Sequence, residues 1–200
     1  MNDKRRTDWL ASLNCDGQLG LALLVAQLLL LLPAFGGGRV RELLQYERSA
    51  LAGGQLWRLL TAHLVHYDWR HLLLNMGGLA VLWALFAREW TPGRWLLIAV
   101  AAALAIDAGL WFRAPEVGWY LGLSGVLHGL WAAGVLAQLQ RRQGFATVPL
   151  LLLVSKLAYE QLRGGSLVLE DMPVVLSAHL YGAAGGLIGG WALARWGKPL

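Results

Sequence analysis

The chain has 200 residues, 57% of them apolar and 14% charged, with 11 tryptophans and a mean hydropathy of +0.50. Such a composition excludes an ordinary soluble domain of this length and points to an all-α polytopic membrane protein. The net charge of +5 does not imply nucleic acid: Lys and Arg are scattered between apolar blocks, where they act as topology signals and headgroup contacts, and are not gathered on one polar face.

In chain order, "MNDKRR" precedes an apolar run with no clear small-residue cleavage site, so the run is read as a retained first helix and not as a signal peptide. Cys15 is the single cysteine, which excludes an internal disulfide framework and a cysteine metal cluster. Crossing the hydrocarbon core takes about 17–25 residues, and six blocks qualify: 19–35, 63–86, 95–112, 121–139, 145–162 and 172–196. The connections between them, such as "AREWTPGR", "RAPEVG", "QRRQG" and "RGGSLVLED", are short and rich in Gly, Pro and charge, as turns in a helix bundle are. The expectation is a single domain over residues 1–200, a six-transmembrane-helix bundle. Trp90, Trp95, Trp111, Trp119 and Trp196 fall near block ends, where indoles favour the headgroup region.

A cytoplasmic N-terminus puts Lys4, Arg5, Arg6, Arg88, Arg94, Arg141, Arg142, Arg195 and Lys198 inside, a slight majority of the basic residues, and makes the C-terminus cytoplasmic as well. The outer group is concentrated in the first loop, "GGGRVRELLQYERSALAGGQLWR". There Val40, Leu43, Leu44 and Leu51 recur at helical spacing among charged residues, which predicts a short amphipathic helix lying in the interface. No internal repeat is visible, which weighs against a transporter built from inverted repeats.

Polar groups inside spans are costly unless paired, so each needs an account. Three clusters stand out. "HLVHYDWRHLLLN" carries His63, His66, His71 and Asn75, with His71 and Asn75 four apart on one helix face. Ser124 and His128 lie in "GLSGVLHGL". His179 lies in "SAHLYGAAGGLIGG", where Gly182, Gly186 and Gly190 form a stripe that lets another helix come close. A serine, a histidine on a glycine-faced helix and further donors are the parts that acyl transfer needs: nucleophile, general base and oxyanion stabilisers.

Over nearly its whole length the chain resembles the rhomboid intramembrane serine proteases. "GLSG" (Gly122 to Gly125) is similar to their nucleophile motif and "AHLYGAAG" to their base motif. "HYDWRHLLLN" is similar to their His, His and Asn spacing, and Trp57–Arg58 to a first-loop signature. The resemblance implies Ser124 as nucleophile and His179 as base, a dyad and not a full triad. It implies an oxyanion hole made by the Ser124 N–H, His71 and Asn75, with His66 supporting the site or holding water. Gly122, Gly125, Gly182 and Gly186 would let the chain pack around the serine, near the outer face. No cofactor is implied, and no metal is assigned, since Ser124 would then go unexplained.

Two features depart from the family pattern. His128 stands four residues after the serine, where many rhomboids have a tyrosine that packs on the base; it is read as a support, with a role as base held in reserve because one turn along the same helix is poor geometry. Lys156 and Glu160 sit four apart in the fifth block, read either as a self-neutralising pair near the outer interface or as a substrate-recognition element. Together with "KLAYEQ", these departures look most like the rhombosortase branch. That likeness implies a bacterial inner membrane, a site near its periplasmic side, and membrane lipids and the transmembrane C-terminal sorting tails (GlyGly-CTERM type) of exported proteins as partners. It also implies an acyl-enzyme open to either water or a lipid headgroup amine, a choice the sequence leaves open. The rival is a catalytically silent rhomboid-like protein that binds membrane clients. Asp107 is read as a helix-packing group without an identified partner, and His63 as an interfacial histidine.

Overall fold

The computed structural model describes residues 9–165 and 174–196. Helix α1 (Gly17–Leu31) runs through a 3-10 turn into α2 (Gly37–Leu44), followed by β1 (Tyr46–Glu47), α3 (Arg48–Ala52) and α4 (Arg58–Thr61). The long helices α5 (Trp69–Phe86) and α6 (Pro92–Arg113) precede β2 (Trp119–Tyr120), and then come α7 (Ser124–Gln140), α8 (Thr147–Arg163) and α9 (Leu176–Trp196).

Helix α7 is the centre of the bundle, packed against α5, α6, α8 and α9. It buries residues around its circumference, Val126, Leu127, Leu130, Ala133 and Val135 among them. The outer helices bury far less: Leu30 alone in α1, and Pro149, Leu153 and Glu160 in α8. Four stretches, Gly17–Leu44, Trp69–Glu89, Pro92–Arg113 and Gly144–Arg163, are long and apolar enough to cross a membrane. Helix α7 is covered mostly by neighbouring protein, whereas α9 buries its small residues and His179 on one side and exposes Leu180, Leu187, Ile188 and Trp191 on the other.

Helix ends follow local chemistry. Asp68 is the N-cap of α5, its carboxylate accepting the His71 N–H at 2.7 Å. Thr91 precedes Pro92 in α6, where a missing N–H costs nothing. The C-terminal carbonyls of α5 at Trp83 and Ala84 receive the Asn14 amide at 3.2 and 2.8 Å, and Arg88 pairs with Asp16 at 2.7 Å, which fastens the start of α1 to the end of α5.

The structure corrects two sequence expectations. The second block does not start as helix at His63: residues 62–68 form an irregular turn after α4, because the Asp68 cap sets the helix start at Trp69. The first loop does carry a short helix, α2, with Val40, Leu43 and Leu44, but the stripe does not continue to Leu51. It is broken by β1, whose Tyr46 and Glu47 pair antiparallel with Tyr120 and Trp119. After that break Leu51 turns inward and is buried, while Leu43 stays exposed. Block ends also shift elsewhere: α7 begins at Ser124 and α9 at Leu176, residues 172 and 173 lying outside the described part.

The broken loop holds the chain that leads into α7. The Arg48 guanidinium donates to the carbonyls of Trp111 at 3.1 Å and Ala114 at 3.0 Å, capping the C-terminus of α6, and its backbone N–H reaches Gly118 O at 2.9 Å. Buried Arg58 donates to the carbonyls of Glu42 and Gln45, both at 2.7 Å. The Gly122 N–H donates to Ala62 O at 2.9 Å.

Candidate active site

Ser124 is the first residue of α7, so its own N–H has no acceptor within the helix and points out of its N-terminal end. The chain reaches it through Gly122, whose φ of +112° suits glycine alone; a Cβ there would also lie 2.6 Å from His71 Cε1. Gly125, Gly129, Gly182 and Gly186 line the contact between α7 and α9. A Cβ on Gly182 would strike the carbonyl of Gly125, and one on Gly186 that of Gly129. Without side chains in between, the two backbones meet directly, and His179 Nε2 comes to 2.9 Å from Ser124 Oγ.

His179 is 3% exposed, and its other ring nitrogen, Nδ1, lies 2.8 Å from Glu160 Oε2. Glu160 is fully buried, and its Oε1 accepts from Lys156 Nζ. The His128 ring stacks on His179, with centroids 4.2 Å apart and planes 17° from parallel. His128 Nδ1 is 2.7 Å from the Ser124 carbonyl, which can only accept, so Nδ1 carries the proton and the interaction faces the backbone, not Oγ. This arrangement suits a support, not a base.

His71 and Asn75, one turn apart on α5, share a cavity of about 440 Å³ with Ser124, His128, Lys156 and His179. The Tyr67 N–H approaches His71 Nδ1 at 3.5 Å, which leaves Nε2 as the protonated nitrogen, on the side of Gly122. One N–H of the Asn75 amide goes to His71 O at 3.1 Å, so a second remains as a donor. The remaining wall is apolar, with Val81 and Leu85 from α5 facing Leu152 from α8.

Other residues named from the sequence fall elsewhere. His66 sits behind His71, edge-on at 5.0 Å, and lines a separate cavity of about 170 Å³ with Arg41 and Trp69. Burial first, and then the nearby His71, depress its pKa to about 3. His63 is not interfacial but buried in the turn before α5. Asp107 does have a partner: its carboxylate lies 3.5 Å from His63 Nε2. Burial and Asp107 raise the Tyr120 pKa, so its hydroxyl stays protonated and donates to Gly122 O at 3.0 Å.

Lys156 and Glu160 do form the self-neutralising i, i+4 pair read from the sequence, but its direction was not foreseen. The pair turns inward, and Glu160 reaches the histidine that faces Ser124, so the expected two-residue arrangement is extended by a carboxylate. The available signal was an i, i+4 ion pair in an otherwise apolar helix; sequence spacing cannot say which neighbouring helix such a pair faces. His128, Glu160 and His179 also offer ligand atoms within 4.8 Å of one another, a spacing a metal ion could use. Both Glu160 oxygens are already engaged, and the adjacent Lys156 ammonium would repel a dication, so the arrangement fits proton transfer better than metal binding.

Residues 53–196 match the Rhomboid domain family. The chain is also 24% identical over 157 residues to "Putative rhomboid protease YdcA" of Bacillus subtilis (strain 168), an alignment covering 78% of this chain and 77% of that protein. A membrane protein of packed helices whose family match runs from the first loop to the end of its last helix, this chain belongs to the rhomboid family.

Proposed function

We propose that the chain is a six-span intramembrane serine endopeptidase in which Ser124 is the nucleophile and His179 the general base. The observation that carries this reading is the 2.9 Å approach of Ser124 Oγ to His179 Nε2 at one end of a cavity walled by α5 and α8. In the acylation step His179 Nε2 takes the Ser124 hydroxyl proton as Oγ bonds to the scissile carbonyl carbon. The resulting oxyanion is met by the Ser124 N–H, the His71 Nε2–H and the free Asn75 N–H. Collapse breaks the C–N bond, and the proton passes from His179 to the leaving amine. Water or another amine then attacks the acyl-serine carbonyl as His179 takes its proton; collapse breaks the C–Oγ bond, and the histidine returns the proton to Ser124 Oγ.

The apolar walls contributed by α5 and α8 suit an apolar segment entering from the side, and the polar end suits a peptide bond next to small residues. On this basis the substrates are transmembrane C-terminal sorting tails of exported proteins with a Gly-containing motif, as in the rhombosortase branch. Lipids surround the bundle and offer headgroup amines as acceptors. The chain lies in a bacterial inner membrane with both termini cytoplasmic and the site near the periplasmic side. The test is cleavage in membranes of a model protein with such a tail by wild type, Ser124→Ala and His179→Ala, with mass spectrometry of the new C-terminus. Product from wild type alone is expected, and its mass separates hydrolysis from headgroup transfer. Processing by both variants overturns the assignment. Binding of the tail without cleavage by all three favours a client-binding protein.

A further inference from the structure

We infer that Glu160 is a positioning residue for His179, making a Ser124–His179–Glu160 triad, and that Lys156 holds the carboxylate in place. The inference rests on the proposed roles of Ser124 and His179. The outer face of α8 is apolar and exposed at Leu151, Val154 and Leu162, yet this carboxylate is turned inward and fully buried. A buried carboxylate is tolerated only when its oxygens are satisfied. Here Oε1 takes the Lys156 ammonium, and Oε2 takes His179 Nδ1 at 2.8 Å.

The two contacts have different consequences. Oε1 pairs with the Lys156 ammonium, and a carboxylate can only accept, so Nδ1 must carry the imidazole proton. That leaves the Nε2 lone pair facing Ser124 Oγ. The stack with His128 fixes the plane of the ring but not which ring edge faces the serine; the Glu160 contact selects the edge.

Charge makes a second argument. In the resting site Lys156 and Glu160 cancel. When Ser124 O–H breaks and its proton moves to Nε2, the imidazolium sits beside the Glu160 carboxylate while the negative charge appears on the substrate oxygen. No proton moves to Glu160. Without the carboxylate, an imidazolium would form near an unpaired ammonium in a low-dielectric setting.

The test uses the full-length protein in proteoliposomes with a model transmembrane tail, and compares wild type, Glu160→Gln, Glu160→Asp, Lys156→Met and Ser124→Ala. Glutamine keeps the volume and a hydrogen bond but can offer its NH₂ to Nδ1 and hold the wrong tautomer. Its kcat is expected to fall by about 10³-fold or more with KM within about 3-fold. Aspartate, which retains the carboxylate, is expected to recover at least about 10-fold over glutamine, and Lys156→Met to lose about 10-fold. Nitrogen-15 NMR of the histidines should show His179 protonated on Nδ1 in wild type and that signature lost in Glu160→Gln. A Gln variant within about 3-fold of wild type, or one that loses activity with the tautomer unchanged, overturns the inference. If Glu160→Gln fails to fold, the wild-type spectrum decides: a resting His179 protonated on Nε2 overturns it. Ser124→Ala keeps the two readings apart, because activity in that variant refutes the proposed nucleophile, whereas an inactive Ser124→Ala beside an active Glu160→Gln refutes only the triad.

Discussion

Helices α7 and α9 meet backbone to backbone across Gly125, Gly129, Gly182 and Gly186, whereas α8 leans on the bundle through a few side chains, burying only Pro149, Leu153 and Glu160. Both contacts deliver a group to His179: Ser124 across the first, Glu160 across the second. The difference assigns tolerances. A contact without side chains has no rotamers to rearrange, so the serine–histidine distance is set by the main chain. The looser side carries Leu152 and Lys156 into the cavity wall, where the proposed substrate segment would need room.

The largest effects should come from the tight contact. Ser124→Ala or His179→Ala is expected to lower kcat by about 10⁶-fold, and the double variant should be no worse, since the two act as a unit; additive losses in a cleavage assay would show otherwise. Gly182→Val should force α7 and α9 apart, costing about 1–3 kcal/mol in a thermal unfolding assay and removing most cleavage. Leu151→Ala, on the exposed face of α8, should change the rate by less than about 3-fold. Equal effects of these two substitutions would erase the contrast between the helices.

Asn75→Ala sharpens the picture from the side of α5. A loss of one oxyanion donor predicts kcat lower by about 10²–10³-fold, or about 2.7–4 kcal/mol, with KM little changed; a change confined to KM would move Asn75 from the oxyanion to substrate binding. Asp68→Ala removes the cap that starts α5 one turn before His71 and should cost about 1 kcal/mol of stability, read by denaturation in detergent.

The smallest effect at neutral pH concerns His66. The folded protein holds this imidazole neutral with a pKa of about 3, while the unfolded chain takes up a proton below about 6.5. Stability is therefore drawn down as pH falls through 6.5 and levels off near 3, where the native histidine is protonated too. His66→Asn should flatten that part of the stability profile; an unchanged slope would show that His66 is not its source.

Much of this was legible in the sequence for identifiable reasons. Helical periodicity and apolar length locate the long helices, and the glycines four apart in α9 announce a close neighbour. The spacing of His71 and Asn75 puts both on one face, and that face does line the cavity with Ser124. Three features were not legible. Residues 62–68 run into the apolar stretch of α5 with no Gly or Pro between, and only the Asp68 cap marks the start of that helix. The pairing of Tyr46 with Tyr120 joins segments far apart in the chain through main-chain hydrogen bonds, which leave no residue-type signature. Glu160 looked like half of a local pair because its second oxygen is satisfied by a residue 19 positions away on another helix.

The 55-residue separation between Ser124 and His179 has a consequence for biosynthesis. A chain emerging from the ribosome completes the α7 serine and its lead-in, with both strands that hold it, well before the histidine in α9 exists. On the proposed roles of Ser124 and His179, the protease would stay silent through most of its own insertion and gain activity only when α9 docks. Order of synthesis would then do the work that a removable propeptide does elsewhere.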